Sequence, residues 1–344
     1  MRLALDATYS LGSALTGVGV YSREILNGLA LGHSSQRFDW FYRSQRYWRA
    51  RGLDLPANVT RRLLTESWGS RSARLFHGLN QRLPKRRFRA QVATFHDLFV
   101  LSSQYSTAEF RERFAQQARQ AAAGADLIIA VSAFTASQVE TLLNVPRSRI
   151  RVIHHGVVPR ALAQLPRQKM VLCVGAIQRR KNQARLIRAF ARMPDDWTLV
   201  LAGSEGFEGG EAARAAAISP AASRIRLTGY VDEDEIARLY AQASIFAFPS
   251  LDEGFGMPVL EAMAAKVCVL AGNNSAIPEV CGNAAELVDA QDENAIADGL
   301  VKLATDEHCR TRLVTAGIQR AAQFRWEDAV AKTWNVYREL LPEL

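Results

Sequence analysis

The chain reads as an α/β protein built from two doubly wound, Rossmann-like parallel-sheet domains, and three observations predict this. Short apolar runs alternate with amphipathic helical patterns, the rhythm of a mostly parallel sheet covered by helices. The rhythm restarts after Pro159 and Pro166, which divides the chain into 1–158 and 159–325 ahead of a last helical segment, 326–344. The 344 residues are too many for one ordinary open-sheet domain and suit two, each able to bury its own core.

In order along the first domain, Arg2-Leu-Ala-Leu-Asp6 predicts a short strand, followed by a loop containing Gly12, Gly17 and Gly19 and a helix through Tyr21–Leu29. Further strands are expected at Phe38–Tyr42, Val92–Phe95, Leu127–Val131 and Ile150–Ile153, with helical patterns near 107–123 and 133–143. In the second domain the apolar runs Met170–Val174, Thr198–Ala202, Ile225–Leu227, Ile245–Phe248 and Val267–Leu270 are each followed by turn residues and a helical segment. In this fold class ligands bind beyond the carboxyl ends of the strands, so a site is expected in a cleft between the two domains.

Hydrophobic content of 48% with 22% charged residues is that of a globular enzyme. No apolar run reaches the ~18 residues of a membrane span, and Asp6 interrupts the only stretch resembling a signal core, so a cytoplasmic protein is expected. Cys173, Cys268, Cys281 and Cys309 show neither metal-site nor disulfide spacing and read as reduced core or surface thiols. The net charge of +9 is uneven: residues 1–158 hold 22 Lys and Arg against 10 Asp and Glu, a balance of +12, and the remainder is −3. Much of the excess lies in Arg43, Arg46, Arg49 and Arg51, interleaved with Tyr42, Tyr47 and Trp48, and in Arg82-Leu-Pro-Lys-Arg-Arg-Phe-Arg89. Cations among amphipathic aromatics suit an anionic membrane surface, and equally a solvated arginine-rich face. No nucleic-acid-binding signature accompanies them, so no nucleic-acid partner is expected.

The most informative segment is Phe248-Pro-Ser-Leu-Asp-Glu-Gly-Phe-Gly-Met-Pro-Val-Leu-Glu261. A buried strand leads into the loop Gly254-Phe-Gly-Met257, and Pro258 falls where a helix's first turn accepts proline. Backbone N–H groups at such a helix start attract anions, while Glu253 and Glu261 can accept hydrogen bonds from vicinal hydroxyls. A sugar nucleotide offers a phosphate and hydroxyls together. The segment resembles the Glu-x7-Glu signature of the retaining glycosyltransferases of family 4, whose GT-B architecture pairs two Rossmann-like domains across a cleft. The resemblance runs from near Met1 to the C-terminal helix, and implies that 326–344, with Phe324–Ala329 leading into it, crosses back to the first domain.

Gly175-Ala-Ile-Gln-Arg-Arg-Lys-Asn182 leads from a strand into the helix Gln183–Phe190. Two cations at a helix start are unfavourable unless an anion lies between them, and by resemblance Lys181 is the lysine that binds the donor diphosphate. Ala176 replaces the family's first arginine, and its electrostatic share falls to Arg180. Thr16-Gly-Val-Gly-Val20 lacks the third glycine of a dinucleotide fingerprint, Ser22 standing there, and resembles the family's first loop, in which Gly17 and Gly19 approach the donor phosphate. Phe95-His-Asp97 resembles the His-Asp pair that faces the transferred sugar: His96 at the reaction, Asp97 and Ser132 on the acceptor side. Leu227–Val231 resembles the base-binding loop, with Gly229, Tyr230 and Val231 around the nucleobase; Ser250, Gly254, Phe255, Gly256 and Met257 complete the donor set. Asp232-Glu-Asp234 followed by Glu235 reads as a capping box rather than a metal-binding Asp-x-Asp, so no metal is expected.

The resemblance implies a metal-independent retaining hexosyltransferase with no cofactor beyond its nucleoside diphosphate sugar donor. Lys181 and Arg180 neutralise the leaving diphosphate, Glu253 holds donor-sugar hydroxyls and Glu261 the ribose diol. GDP-mannose is the first expectation because Ala176 with Arg-Lys-Asn resembles mannosyltransferase members; UDP-sugars and dTDP-rhamnose remain open. The acceptor is expected to be a glycan hydroxyl, carried on a lipid pyrophosphate at the cytoplasmic face of a membrane, in surface-polysaccharide synthesis. A non-catalytic sugar-nucleotide-binding protein and an epimerase or phosphorylase of the same architecture are the alternatives.

Overall fold

The computed structural model describes residues 1–12, 15–65, 72–103, 105–159 and 165–344. They form two compact units, 1–156 with 325–344, and 157–324. Among the described residues the first unit has strands β1 (Arg2–Asp6), β2 (Arg37–Tyr42), β3 (Val59–Leu63), β4 (Leu75–Gly78), β5 (Ala90–Phe95), β6 (Leu127–Ala130) and β7 (Ile150–Val152). They make one parallel sheet in the order β3-β2-β1-β4-β5-β6-β7. The second unit has β8 (Gln168–Val174), β9 (Thr198–Ala202), β10 (Ile225–Gly229), β11 (Ala243–Phe248), β12 (Cys268–Gly272) and β13 (Glu286–Val288), parallel in the order β10-β9-β8-β11-β12-β13. In each sheet the chain builds one side outward and then returns to build the other. β1 and β8 therefore stand at switch points, where loops leave toward opposite faces and open a crevice at the strand ends.

Three strands lack the apolar run that marks the others. β3 is an edge strand whose Arg62 and Leu63 are exposed, β4 is four residues long and β13 three. The helix Gln183–Phe190 shows the opposite case: Gln183, Leu186, Ile187 and Phe190 recur at i, i+3, i+4 and i+7 and are buried, the apolar three packing against Val171, Leu199 and Leu201 of the sheet. Gly203 permits the strand ends to close, because a Cβ there would lie 2.1 Å from the Gly175 carbonyl oxygen.

The C-terminal helix Trp326–Leu340 belongs to the first unit and packs on the helix Gly17–Gly32, where Gly28 leaves room for Val330. Trp334 stacks on His33 at 3.6 Å between ring centroids, and Arg151 pairs with Glu339 at 2.6 Å. A buried hydrogen-bonded chain fastens this helix to the sheet: Tyr337 Oη lies 2.6 Å from His77 Nδ1, and His77 Nε2 lies 2.8 Å from Thr94 Oγ1. Thr94 Oγ1 is in turn 2.8 Å from Tyr21 Oη.

One sequence expectation about these elements is corrected. Gly17 and Gly19 lie in the first turn of the helix and not in the loop before it, because Thr16 is extended and its carbonyl already accepts from Val20 at 2.9 Å. All four cysteines are core thiols, with burial pushing Cys173, Cys268 and Cys281 up to about 12, too high for ready thiolate formation. Among the described residues no helix is long and apolar enough to cross a membrane.

Burial pulls His77 down to about 3 and His96 down to about 4, and lowers His155 well below the ordinary imidazole value. Below about pH 6.5 the unfolded chain protonates these rings while the folded unit does not, so the first unit is most stable above that pH. It loses about 1.4 kcal/mol per pH unit for each such histidine as pH falls toward about 4. The second unit contains only the exposed His308. Hydrogen exchange corrected for intrinsic rates is expected to show β4 and β5 opening more easily at about pH 5 than at about pH 7, with β8 and β11 not weakened. Equal weakening of both units would contradict this account.

Candidate active site

At the switch point of the second unit the loops after β8 and β11 are locked together by side chains. The β8 loop ends in a tight turn, Arg179–Lys181, and Asn182 follows in the left-handed region at φ 63°. Asn182 Nδ2 donates to the carbonyls of Pro249 (2.9 Å) and Ala290 (2.7 Å). Leu251 N donates to the Arg180 carbonyl at 2.8 Å, and Ser250 Oγ lies 3.1 Å from that carbonyl oxygen. The consequence is that residues 70 positions apart share one small, nearly dry volume.

Glu253 is the centre of that volume. Its Oε1 lies 2.5 Å from Lys181 Nζ and 3.0 Å from Arg180 Nη1, and accepts from Ser250 Oγ at 2.6 Å. The three charged side chains are only 9–12% exposed, and Lys181 also stands 4.5 Å from the Phe248 ring centroid. Burial alone pushes the Glu253 carboxyl up, but Arg180 and Lys181 outweigh it and hold it at about 2. The adjacent cations that suggested a bound anion thus already have one, supplied by the protein itself. One carboxylate is paired with two cations here and the Asp252 carboxylate stands beside them, so in this site of low dielectric Lys181 and Arg180 are the groups that can attract an entering anion.

Arg180 also donates to the Asp252 carbonyl, and Glu253 N donates to Ser275 Oγ at 3.0 Å, so the loop is fixed from both sides. Gly256 makes the turn into the helix Met257–Ala264 at φ 99°, where a Cβ would lie 2.6 Å from Ile277 Cδ1. Met257 is the first residue of that helix, not the last of the loop as expected, and Pro258 sits in its first turn. Gly254 and Phe255 are buried beside it. Glu261 is one turn further, partly buried, and accepts from Tyr240 Oη at 3.2 Å. Gly229, at φ 69°, ends β10 and accepts from Gly203 N at 3.0 Å, leaving Tyr230 61% exposed and Val231 partly so. Asp232 caps the next helix by accepting from Glu235 N at 2.9 Å.

The remaining predicted residues gather at the strand ends of the first unit. His96 and Asp97 follow β5 and Ser132 follows β6, so neighbouring strands bring them together. His96 is 6% exposed and its Nε2 donates to the Leu79 carbonyl at 2.8 Å; the Tyr21 ring packs edge-on against it at 4.7 Å and against His155 at 5.0 Å. Ser132 is fully buried and caps the helix Ala133–Leu143 through Thr135 N, and Thr135 Oγ1 donates to the His96 carbonyl at 3.5 Å. Gly19 is buried and Gly17 exposed.

The basic clusters differ from the sequence picture. Tyr42 is buried in the core, and Arg87 and Arg89 are paired with Asp126 and Glu343 at 2.5 and 2.9 Å. What stays outward is Trp48, 60% exposed, with the Arg51 guanidinium 3.9 Å over its ring.

Comparisons with known proteins identify the family. Residues 159–320 match the model of glycosyl transferases group 1, and residues 70–160 that of Glycosyltransferase Family 4. The chain belongs to glycosyltransferase family 4. It is similar to the O-antigen chain mannosyltransferase B of Escherichia coli, at 29% identity over 97% of this chain and 99% of that protein. In fold it is similar to a sucrose-phosphate synthase from Thermosynechococcus elongatus (TM-score 0.79, 21% identity, 100% of both chains). It is likewise similar to Anabaena Alr3699/HepE solved with UDP and glucose (TM-score 0.73, 16% identity, 98% of this chain and 99% of that one). The chain is therefore a glycosyltransferase of GT-B architecture. Sequence reasoning left two site residues unassigned: Asn182, whose left-handed turn was masked by reading it simply as a helix start, and Asp252, overlooked beside its glutamate neighbour.

Proposed function

We propose that this glycosyltransferase moves mannose from GDP-mannose to a hydroxyl of a growing surface glycan, with retention of configuration and without a metal. What carries the reading is the buried Lys181–Glu253–Arg180 cluster in a chain 29% identical to an O-antigen chain mannosyltransferase. The donor diphosphate enters beside Lys181 and Arg180 and competes with Glu253 for them. As the bond from the anomeric carbon to the diphosphate breaks, charge grows on the departing oxygen next to these preorganised cations. The acceptor hydroxyl forms its bond on the face the diphosphate leaves, and its proton passes to that diphosphate. Such a step needs no protein nucleophile. Glu253, held ionised by two cations, supplies negative potential beside a carbon gaining positive character. Glu261 takes the ribose diol, Tyr230 and its neighbours the base, and His96 is the proposed partner of the transferred sugar.

The acceptor is a lipid-pyrophosphate-linked glycan, reached when the first unit rests on anionic membrane. Trp48 with Arg49 and Arg51, and the exposed Lys85, are the groups offered to such a surface. Cosedimentation with vesicles rich in anionic lipid is expected to weaken as salt rises, exposed charges being screened beyond ~8–10 Å. Equal sedimentation with neutral vesicles would remove the membrane from the proposal.

Thermal-shift screening against GDP, UDP, dTDP and ADP, followed by transfer assays with the matching hexose donors, tests the function itself. GDP is expected to stabilise most, by ~2.7 kcal/mol at 100 times its dissociation constant, and GDP-mannose to support transfer. Folded Lys181→Ala protein is expected to lose about a hundredfold or more in turnover. A preference for another nucleotide would reassign the donor, and release of nucleotide without transfer to any glycan would sink the transferase reading.

A further inference from the structure

Asp252 has no part in the arrangement so far except through its backbone, whose carbonyl the Arg180 guanidinium holds. Its side chain is chemically conspicuous. The residue is only 9% exposed, and among the described residues its buried Oδ1 has no hydrogen-bond partner. It sits in the same rigid loop as Glu253, one residue before it, and within electrostatic reach of both Arg180 and Glu253.

A buried carboxylate oxygen without a donor is costly, and one beside a ligand-binding loop is explained if a ligand satisfies it. The neighbouring carboxylate shows the contrast. Glu253 Oε1 already accepts from Ser250 and Lys181 and is ion-paired with Arg180, while among the described residues Asp252 Oδ1 has no donor. The ligand must therefore bring the donor, and it must be a neutral hydroxyl rather than an anion, because a phosphate oxygen beside a carboxylate only adds repulsion. A hexose attached to a diphosphate held by Lys181 brings several hydroxyls to this loop. We propose that Asp252 is a sugar-recognising residue of the donor site, accepting a hydrogen bond from one hydroxyl of the transferred hexose through the oxygen that folding leaves unpartnered. Burial pushes the Asp252 carboxyl up to about 6 against the pull of Arg180, consistent with an acceptor that lacks its partner until the sugar binds.

The inference rests on the glycosyl-transfer reading, and the experiment separates the two. Wild-type protein is first assayed with GDP-mannose, UDP-glucose and dTDP-rhamnose; absence of transfer from all three defeats the function proposed above and this inference with it. With the donor that is used, wild type, Asp252→Asn and Asp252→Ala are compared in kcat/KM and in calorimetric affinity for the sugar-free nucleoside diphosphate. The carbonyl that Arg180 holds is kept in both variants, and the near-isosteric amide guards against loop collapse. Asp252→Ala is expected to lower kcat/KM about tenfold to a hundredfold while leaving diphosphate affinity within about twofold. Donors deoxygenated at one sugar position at a time locate the contact: wild type is expected to lose about tenfold or more with one of them, and Asp252→Ala to be indifferent to the same deletion. Near-normal kcat/KM in Asp252→Ala, a matching loss of diphosphate affinity, or identical deoxy-donor profiles in variant and wild type would each overturn the assignment.

Discussion

The placement of one carboxylate, Glu253, against two cations in a nearly dry crevice is the constraint on which the rest of the second unit's site depends. Each of these ions is costly to bury alone, and removing one partner from such a buried group typically costs ~3–5 kcal/mol. The fold meets that cost with geometry. Two loops from adjacent strands at a switch point are held in register by Asn182, Ser250 and the Arg180 carbonyl, so that one Glu253 oxygen accepts from Ser250 and Lys181 and pairs with Arg180. An apolar cluster of the same volume would commonly be as stable or more so. Retaining charge here makes sense as chemistry: the cluster keeps two cations in place, aimed and desolvated before any anion arrives.

Backbone requirements follow from the same constraint. Gly203 must lack a side chain for the β8 and β9 loops to close, and Gly256 must take a left-handed turn for the helix carrying Glu261 to start immediately behind Glu253. The first unit solves a parallel problem with neutral groups. Tyr337, His77, Thr94 and Tyr21 form a buried hydrogen-bonded chain from the C-terminal helix to the helix that packs against His96. The imidazoles in and beside this chain stay uncharged because burial disfavours their protonation.

Much of this was legible in the sequence, for identifiable reasons. Buried parallel strands such as Ile245–Phe248 are continuous apolar runs, and the helix Gln183–Phe190 repeats at 3.6 residues. The strands that escaped notice, Val59–Leu63, Leu75–Gly78 and Glu286–Val288, are edge or very short strands with no such periodicity. Lys181, Arg180 and Glu253 stood out by residue type and spacing. Their mutual pairing did not, because spacing along the chain carries no information about which loops a switch point brings face to face. Asp252 and the burial of Tyr42 were hidden likewise: exposure is a property of packing, and Tyr42 looks like its surface neighbours Tyr47 and Trp48 until β2 is placed inside the sheet.

The central claim is that Glu253 holds the diphosphate-binding cations in the free protein and yields them to the ligand. The most direct test is calorimetric titration of GDP and UDP into wild type, Glu253→Gln and Lys181→Met, each shown to be folded. The account predicts that Glu253→Gln binds the preferred diphosphate as tightly as wild type or up to about tenfold more tightly, because a competing anion has been removed. Lys181→Met should bind it about tenfold or more weakly. Equal weakening in both variants would contradict it, since Glu253 would then be helping to bind the diphosphate instead of competing with it.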